Sequence, residues 1–200
     1  MTQSKAQLIN KESLWEGHLK IYRYQLRLPL FQGGWSEVMS REVCVRGDSV
    51  CILPIDTNRK ALVMVEQYRL PAELSGHDPW QMEIPAGLIE NGESLENVAA
   101  REMKEESGLE IKKLRHAITF MPSPGAINET THVFTALADS AKAGGIHGKS
   151  DEGENIRVHA VPIKNLAANL YTPKWRNGLM LAAVQWLLLN QEKILTELQA

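Results

Sequence analysis

An α+β sandwich carrying a small N-terminal β-appendage is the fold class that this 200-residue sequence predicts. Three observations predict it. Short β-rich apolar runs recur along the chain. Helix signatures stand among them without regular βαβ alternation. The residues before Gly47 and Asp48 carry only strand and turn signals, so the chain divides into residues 1–47 and residues 48–200.

In the first part, residues 19–28 alternate partly between apolar and polar, with Ile21, Leu26 and Leu28 among the apolar positions. Gln32-Gly33-Gly34 is a turn signal, and residues 38–45 form a second strand candidate. A three-strand piece of this size rarely stands alone and needs a covering surface. In the second part, residues 50–54 and 61–67 are strands joined across Asp56-Thr57-Asn58-Arg59, and residues 82–84 are another. A Gly-containing loop follows over 87–93. Residues 95–107 predict a helix capped by Ser94 or a residue beside it, with Leu95, Val98, Ala99 and Met103 as its apolar stripe. Gly108 stands where a helix end often needs a left-handed residue. Residues 118–121 and 131–137 read as strands around the loop 122–129, residues 144–154 as a long polar loop, and 156–161 as a strand. Thr172-Pro173 predicts the start of the last helix, which runs toward Leu198 and carries Trp175 and Trp186.

Composition narrows the function. Hydrophobic residues make up 44% and charged residues 23%, and the formal net charge is -2. That balance lacks the basic footprint of a nucleic-acid binder. An anionic substrate needs locally placed arginines or bound cations. The longest apolar run, 179–189, is too short to span a bilayer. Cys44 and Cys51 are too few for a disulfide framework, and the polar residues 1–10 lack the apolar core of a secretory signal. These features predict a cytoplasmic protein.

The segment 87–109 carries the chemistry. On the predicted helix Glu102 and Glu106 stand four apart, and Glu105 stands three from Glu102. Side chains at these spacings share a face, and like charges there destabilise a helix. An acidic, solvated face is the ordinary explanation of a Glu-rich helix. Here the carboxylates lie beside a Gly-containing loop and directly over an apolar stripe, which points to a cation instead. Oxygen-only ligands suit Mg²⁺ or Mn²⁺, and Mg²⁺ takes one or two carboxylates and leaves the rest of its shell to substrate phosphates.

The same segment resembles the Nudix box, G-x5-E-x7-R-E-U-x-E-E-x-G-U with U a bulky aliphatic residue, at Gly87, Glu93, Arg101, Glu102, Met103, Glu105, Glu106, Gly108 and Leu109. A chance match at ordinary residue frequencies is about one in a million. The resemblance implies a loop–helix–loop within an α/β/α sandwich with a mixed β-sheet. It implies that Glu102 and Glu106 hold metal with help from Glu105, that Glu93 pairs with Arg101 to fix the helix, and that Gly87 and Gly108 permit the loop turns.

Four features further resemble the bacterial ADP-ribose pyrophosphatase branch of that family. They are Ser123-Pro124-Gly125, the N-terminal β-appendage, the loop 150–157, and Gly145-Ile146-His147-Gly148 before it. This resemblance implies Mg²⁺-dependent cleavage of ADP-ribose to AMP and ribose 5-phosphate, with Mn²⁺ as a substitute and about two to three ions per site. Glu152 matches the general base and Glu154 a further metal ligand, with either able to be the base on spacing alone. Ala86 matches a residue whose carbonyl binds metal. Arg41, Arg46 and Arg69 match arginines that contact the diphosphate or terminal ribose, or hold the dimer, and Glu129 matches a ribose contact. His18 stands where an aromatic side chain stacks on adenine across a homodimer formed by the N-terminal strands. The branch often reads Ser-Pro-Gly-Gly where this chain has Ala126. Two other readings compete: a Nudix hydrolase of another sugar nucleotide such as GDP-mannose, and a non-catalytic sensor of ADP-ribose or NAD. The intact box argues against the sensor.

Overall fold

A computed structural model describes residues 5–199. The chain divides into two compact units, Met1–Asp48 with Met121–Thr130, and Ser49–Phe120 with Thr131–Ala200. The first contains an antiparallel sheet of β1 (Gln7–Glu16), β2 (Lys20–Arg27) and β3 (Met39–Val45). Charge and ring contacts hold its faces: Arg23 bridges Glu12 and Glu42, and the Lys11 ammonium lies 3.8 Å from the Tyr22 ring centroid. Leu26 is the one buried side chain among residues 5–48, so this sheet has no core of its own. The loop 121–130 is stitched to β3, with Cys44 N–H donating to Ala126 O at 2.9 Å and Asn128 N–H to Cys44 O at 3.2 Å.

The second unit begins with β4 (Ser49–Asp56), β5 (Ala61–Tyr68), α1 (Leu70–Leu74), β6 (Trp80–Glu83), β7 (Ala86–Leu88) and α2 (Leu95–Ser107). It continues with β8 (Lys113–Phe120), β9 (Thr131–Leu137), β10 (Ile146–His147), β11 (Ile156–Pro162), α3 (Ile163–Asn169) and α4 (Gly178–Gln199). The strands form one sheet in the order β10-β11-β5-β4-β9-β8, parallel at β4–β9 and antiparallel elsewhere. It is the mixed sheet that the sequence implies. β4 is buried along its whole length because both sheet faces are covered. Alternation divides it: Val50 and Ile52 pack with Val98, Ala99 and Met103 of α2, while Cys51, Leu53 and Ile55 pack with Met180, Ala183, Val184 and Leu187 of α4.

β4 and β5 pair only at Ile55↔Leu62 and Asp56↔Ala61. Beyond that they part, and the chain over 80–88 fills the opening: β6 pairs with β5, and β7 pairs with β4. The crossing between them is fixed by Ile52 N–H donating to Pro85 O at 2.9 Å. This insertion brings Glu83, Ala86 and Gly87 under α2.

Asp56 ties the β4–β5 turn to the chain after β9. Its carboxylate accepts from the N–H groups of Asn58, Arg59 and Ser140 and from the Ser140 hydroxyl. Burial pushes its pKa up, but the Arg59 N–H and Ser140 donors outweigh that and hold it at about 2. Asp56→Ala should therefore destabilise the fold by ~2–4 kcal/mol, since it strands buried donors. With a depressed pKa, this contribution is complete above the ordinary value of 3.8 and is lost as pH falls through about 2. Urea unfolding at neutral pH checks the first statement, and a variant as stable as the parent would refute it.

Several sequence expectations need correction. The last helix begins at Gly178, not at Thr172-Pro173. Residues 172–177 are drawn onto β6 instead: Met82 N–H donates to Lys174 O at 2.8 Å, and Arg176 N–H to Gln81 Oε1 at 3.1 Å. The Asn177 side chain then accepts from Met180 N–H at the helix start. Trp175 accordingly lies before the helix, buried against the core. The loop over 87–93 begins within β7, and β8 starts at Lys113 rather than at 118. The polar loop 144–154 contains β10 and a 3-10 turn at Ser150–Glu152. The short helices α1 and α3 and the polar strand β1 were not distinguished by periodicity.

Candidate active site

The site in the second unit is built on α2. Ser94 Oγ accepts from Asn97 N–H at its start, and Gly108 closes it at φ 70°. The predicted cap residues therefore hold both ends, and α2 turns its stripe onto the sheet. Its carboxylates lie along the boundary of that buried face: Glu106 is 3% exposed and Glu102 8%. Glu106 Oε2 accepts from Ala86 N–H at 3.0 Å. Gly87 lies directly beneath Glu102: a Cβ there would fall 1.7 Å from Glu102 Oε1 and would push the carboxylate out of its present place.

Arg101 organises the acidic group. It donates from Nε and Nη2 to both oxygens of Glu93 at 3.0 Å each, and from Nη2 to Leu88 O at 3.2 Å. Its Nη1 bonds Glu102 and Glu105. The guanidinium thus fastens the loop before α2 to the helix. Its hydrogen bonds hold the Glu93 pKa below the ordinary carboxylate value.

Burial pushes Glu106 well above the usual carboxylate pKa. The charges of Glu102, Glu154 and Glu83 add to the rise, and the Ala86 N–H opposes it. Burial also raises Glu102, partly offset by Arg101. These carboxylates are poised to take up a compensating positive charge.

The loop 144–154 supplies the rest. His147 Nε2 bonds Gly144 O at 2.8 Å, and Gly148 N–H donates to Glu105 O at 3.0 Å, so the loop is hung from α2. Glu154 Oε2 accepts from Lys149 N–H at 2.8 Å. Gly148, at φ 96°, leaves room for it, because a Cβ there would lie 2.7 Å from Glu154 Cβ. Glu152 ends the 3-10 turn, with its side chain 58% exposed and ion-paired to Lys149.

Among the described residues no group of three His, Cys, Asp or Glu side chains is arranged to hold a metal ion. The carboxylates instead meet Arg101, Lys149 and the Ala86 N–H. The donor set still fits Mg²⁺. The ligands are oxygens, two carboxylates suffice with water and phosphate completing the shell, and the Glu102 carboxylate occupies the space a Cβ on Gly87 would take.

Glu102, Glu105, Glu106, Glu93, Arg101, Ala86, Gly87, Gly108, Glu152, Glu154 and Arg69 all lie in this unit. Arg69 grips buried Glu83 through two hydrogen bonds of 2.8 and 2.7 Å. His18, Arg41, Arg46 and Glu129 lie in the first unit. There Arg46 Nη1 meets the buried Glu129 carboxylate at 3.4 Å, Arg41 donates to Ser40 O, and His18 stands exposed in the turn between β1 and β2. Glu83 and Lys149 were not singled out from the sequence. A charged residue within the short apolar run 82–84 was the available signal for Glu83; Lys149 had none.

A model of the NUDIX domain matches residues 45–183. The chain belongs to the Nudix family. Within it the chain groups with ADP-ribose pyrophosphatases. It is 36% identical over 196 residues to the ADP-ribose pyrophosphatase of Haemophilus influenzae, covering 96% of this chain and 90% of that one. It is 36% identical over 195 residues to the ADP-ribose pyrophosphatase of Escherichia coli K12, covering 98% and 93%. A crystal structure described as an ADP compounds hydrolase shares the fold, with a TM-score of 0.75 and 19% identity over 96% of this chain and 98% of that chain. Nudix hydrolases generally use divalent metals such as Mg²⁺. No helix among the described residues is long and apolar enough to cross a membrane.

Proposed function

We propose that this chain hydrolyses the diphosphate of ADP-ribose to AMP and ribose 5-phosphate with Mg²⁺. The observation that carries the proposal is the buried pair Glu102 and Glu106, packed over Gly87 and held by Arg101 and Ala86. Similarity to ADP-ribose pyrophosphatases along nearly the whole chain supports the choice of substrate.

Glu102 and Glu106 hold the metal, with Glu105, Glu154 and the Ala86 carbonyl as further ligands to about two or three ions, Mn²⁺ being able to replace Mg²⁺. When bound, divalent cations supply charge neutralisation of the diphosphate, polarisation of phosphorus and activation of water. Glu152 accepts the proton of the attacking water and orients it in line. Its exposed position on a turn next to Gly153, at φ 74°, suits a group that moves inward when substrate binds. Arg69, fixed by Glu83, presents charge to the diphosphate. Arg41 and Arg46 contact the diphosphate or terminal ribose, or hold the dimer. Glu129 contacts ribose, and His18 stacks on adenine across the dimer.

The test is a screen of purified protein with Mg²⁺ against ADP-ribose, GDP-mannose, ADP-glucose, NADH and diadenosine polyphosphates, with product identification. Preferred conversion of ADP-ribose to AMP and ribose 5-phosphate is expected. Faster cleavage of GDP-mannose would move the substrate assignment, and tight ADP-ribose binding without cleavage of anything would make the chain a sensor.

The working form is a homodimer through β1, β2 and β3. Support comes from the apolar side chains on this coreless unit, with Phe31 97% exposed, Leu8 67% and Trp15 63%. Light scattering should give about twice the chain mass of 22.4 kDa; the chain mass itself at micromolar concentration would rule the dimer out. The reducing cytoplasm is its place of work, consistent with a chain of only two cysteines.

A further inference from the structure

We propose that Lys149 is a resident cation of the acidic site, which holds the loop 144–154 against α2 in the metal-free protein and is displaced when divalent metal binds. The inference rests on the assignment of Glu105 and Glu152 to the site. The Lys149 ammonium lies 3.1 Å from Glu105 Oε2 and 3.1 Å from Glu152 Oε1. Its own backbone N–H donates to Glu154 Oε2 at 2.8 Å. One residue therefore engages three acids that the proposed reaction requires.

These acids stand on separate elements, Glu105 on α2 and Glu152 on the 3-10 turn of the loop. Gly148 N–H to Glu105 O fixes the root of the loop. Beyond that root, the ammonium is what joins the Glu152 side chain to α2. Arg101, which also reaches Glu105 at 3.4 Å, is committed to Glu93 and Leu88, and among the described residues it makes no hydrogen bond or ion pair to the loop 144–154. The loop glutamate is thus held near the site by a charge that a metal ion replaces.

Mutual exclusion follows from charge and size. Mg²⁺ sits ~2.1 Å from its carboxylate oxygens. An ammonium on the same oxygens would place two cations within a few ångströms, where repulsion is strong even at a high effective dielectric constant. Metal on Glu105 therefore expels Lys149. Glu152 is then no longer tied to α2 through the ammonium. Lys149 sets the metal concentration at which this exchange occurs and keeps Glu152 tied to α2 below it. Both ion pairs are partly exposed, so the expected effect is modest.

Lys149→Met keeps the length and apolar stem of the side chain and removes the charge; Lys149→Arg keeps the charge. Mn²⁺ binding to the metal-free protein, without substrate, is measured by electron paramagnetic resonance. Hydrogen exchange of the amides of residues 150–154 is followed in parallel without metal. Lys149→Met should bind Mn²⁺ about two- to fivefold more tightly and exchange those amides faster, with Lys149→Arg close to wild type in both. Unchanged affinity and exchange in Lys149→Met, while Glu106→Gln abolishes Mn²⁺ binding, would overturn the role of Lys149 and leave the carboxylate assignment standing. A fall in turnover of Lys149→Met without either change would also overturn it, making the residue a substrate contact. Wild-type protein that binds no Mn²⁺ would overturn both readings.

Discussion

Glu106→Gln is expected to lower kcat for ADP-ribose by about 10³-fold while leaving the folded state intact and more stable. The two effects share one cause. Glu106 is 3% exposed, and burial first, then the nearby charges of Glu102, Glu154 and Glu83, makes its ionised form costly. That cost is the drive to bind a cation, and an amide cannot be a comparable metal ligand. Glutamine fills the same space, and its oxygen can still accept from Ala86 N–H, so that donor keeps its partner.

The pH dependence has a definite sign. The folded pKa of Glu106 lies above its ordinary value of 4.5, so between the two the native state binds more protons than the unfolded state. The parent protein therefore loses this part of its stability as pH rises through that window, and glutamine does not. In EDTA, the melting temperature of the variant minus that of the parent should grow as pH rises above the ordinary value of 4.5. Wild-type turnover in the variant would remove Glu106 from the site. A melting difference that shrinks with rising pH would refute the buried-charge argument.

Glu152→Gln is expected to lower kcat by about 10²–10⁴-fold with a small change in KM, the pattern for loss of a general base rather than of ground-state binding. Structure favours Glu152 over Glu154 for this role. Glu154 is anchored: its carboxylate accepts from Lys149 N–H, and its Cβ lies against Gly148. Glu152 is 58% exposed and held by one ion pair, so it can move toward a water without breaking a buried hydrogen bond. The comparison to make is Glu152→Gln against Glu154→Gln at saturating Mg²⁺. If Glu154→Gln slows turnover far more, the base is Glu154.

Much of this was legible in the chain itself. The helix over 95–107, its cap at Ser94 and its stop at Gly108 follow from local rules, and local rules hold where one face is strongly apolar and both ends are marked. The pairing of Glu93 with Arg101, a contact across eight residues, is one that the resemblance to the Nudix box implied. The strands of the central sheet were visible because burial on both faces writes an unbroken apolar run, as in β4. Where the signal was ambiguous, tertiary contacts decided. Thr172-Pro173 has the local chemistry of a helix start. The segment is instead bonded to β6 through Lys174 and Gln81, and those backbone partners can be known only once β6 is in place.

The sequence by itself determined the family, the acidic helix face and the glycines that flank it, because these depend on residue type at fixed short spacing. Only the tertiary structure decided which acids share a site. Glu83 reaches it because β4 and β5 part after one short stretch of pairing and admit the chain over 80–88. Glu105, Glu152 and Glu154 are gathered around Lys149 because a loop more than forty residues further along the chain hangs from the Glu105 carbonyl. Electrostatic attraction between such distant residues leaves no period in the sequence. It acts only after the sheet has buried its apolar faces and brought them within reach.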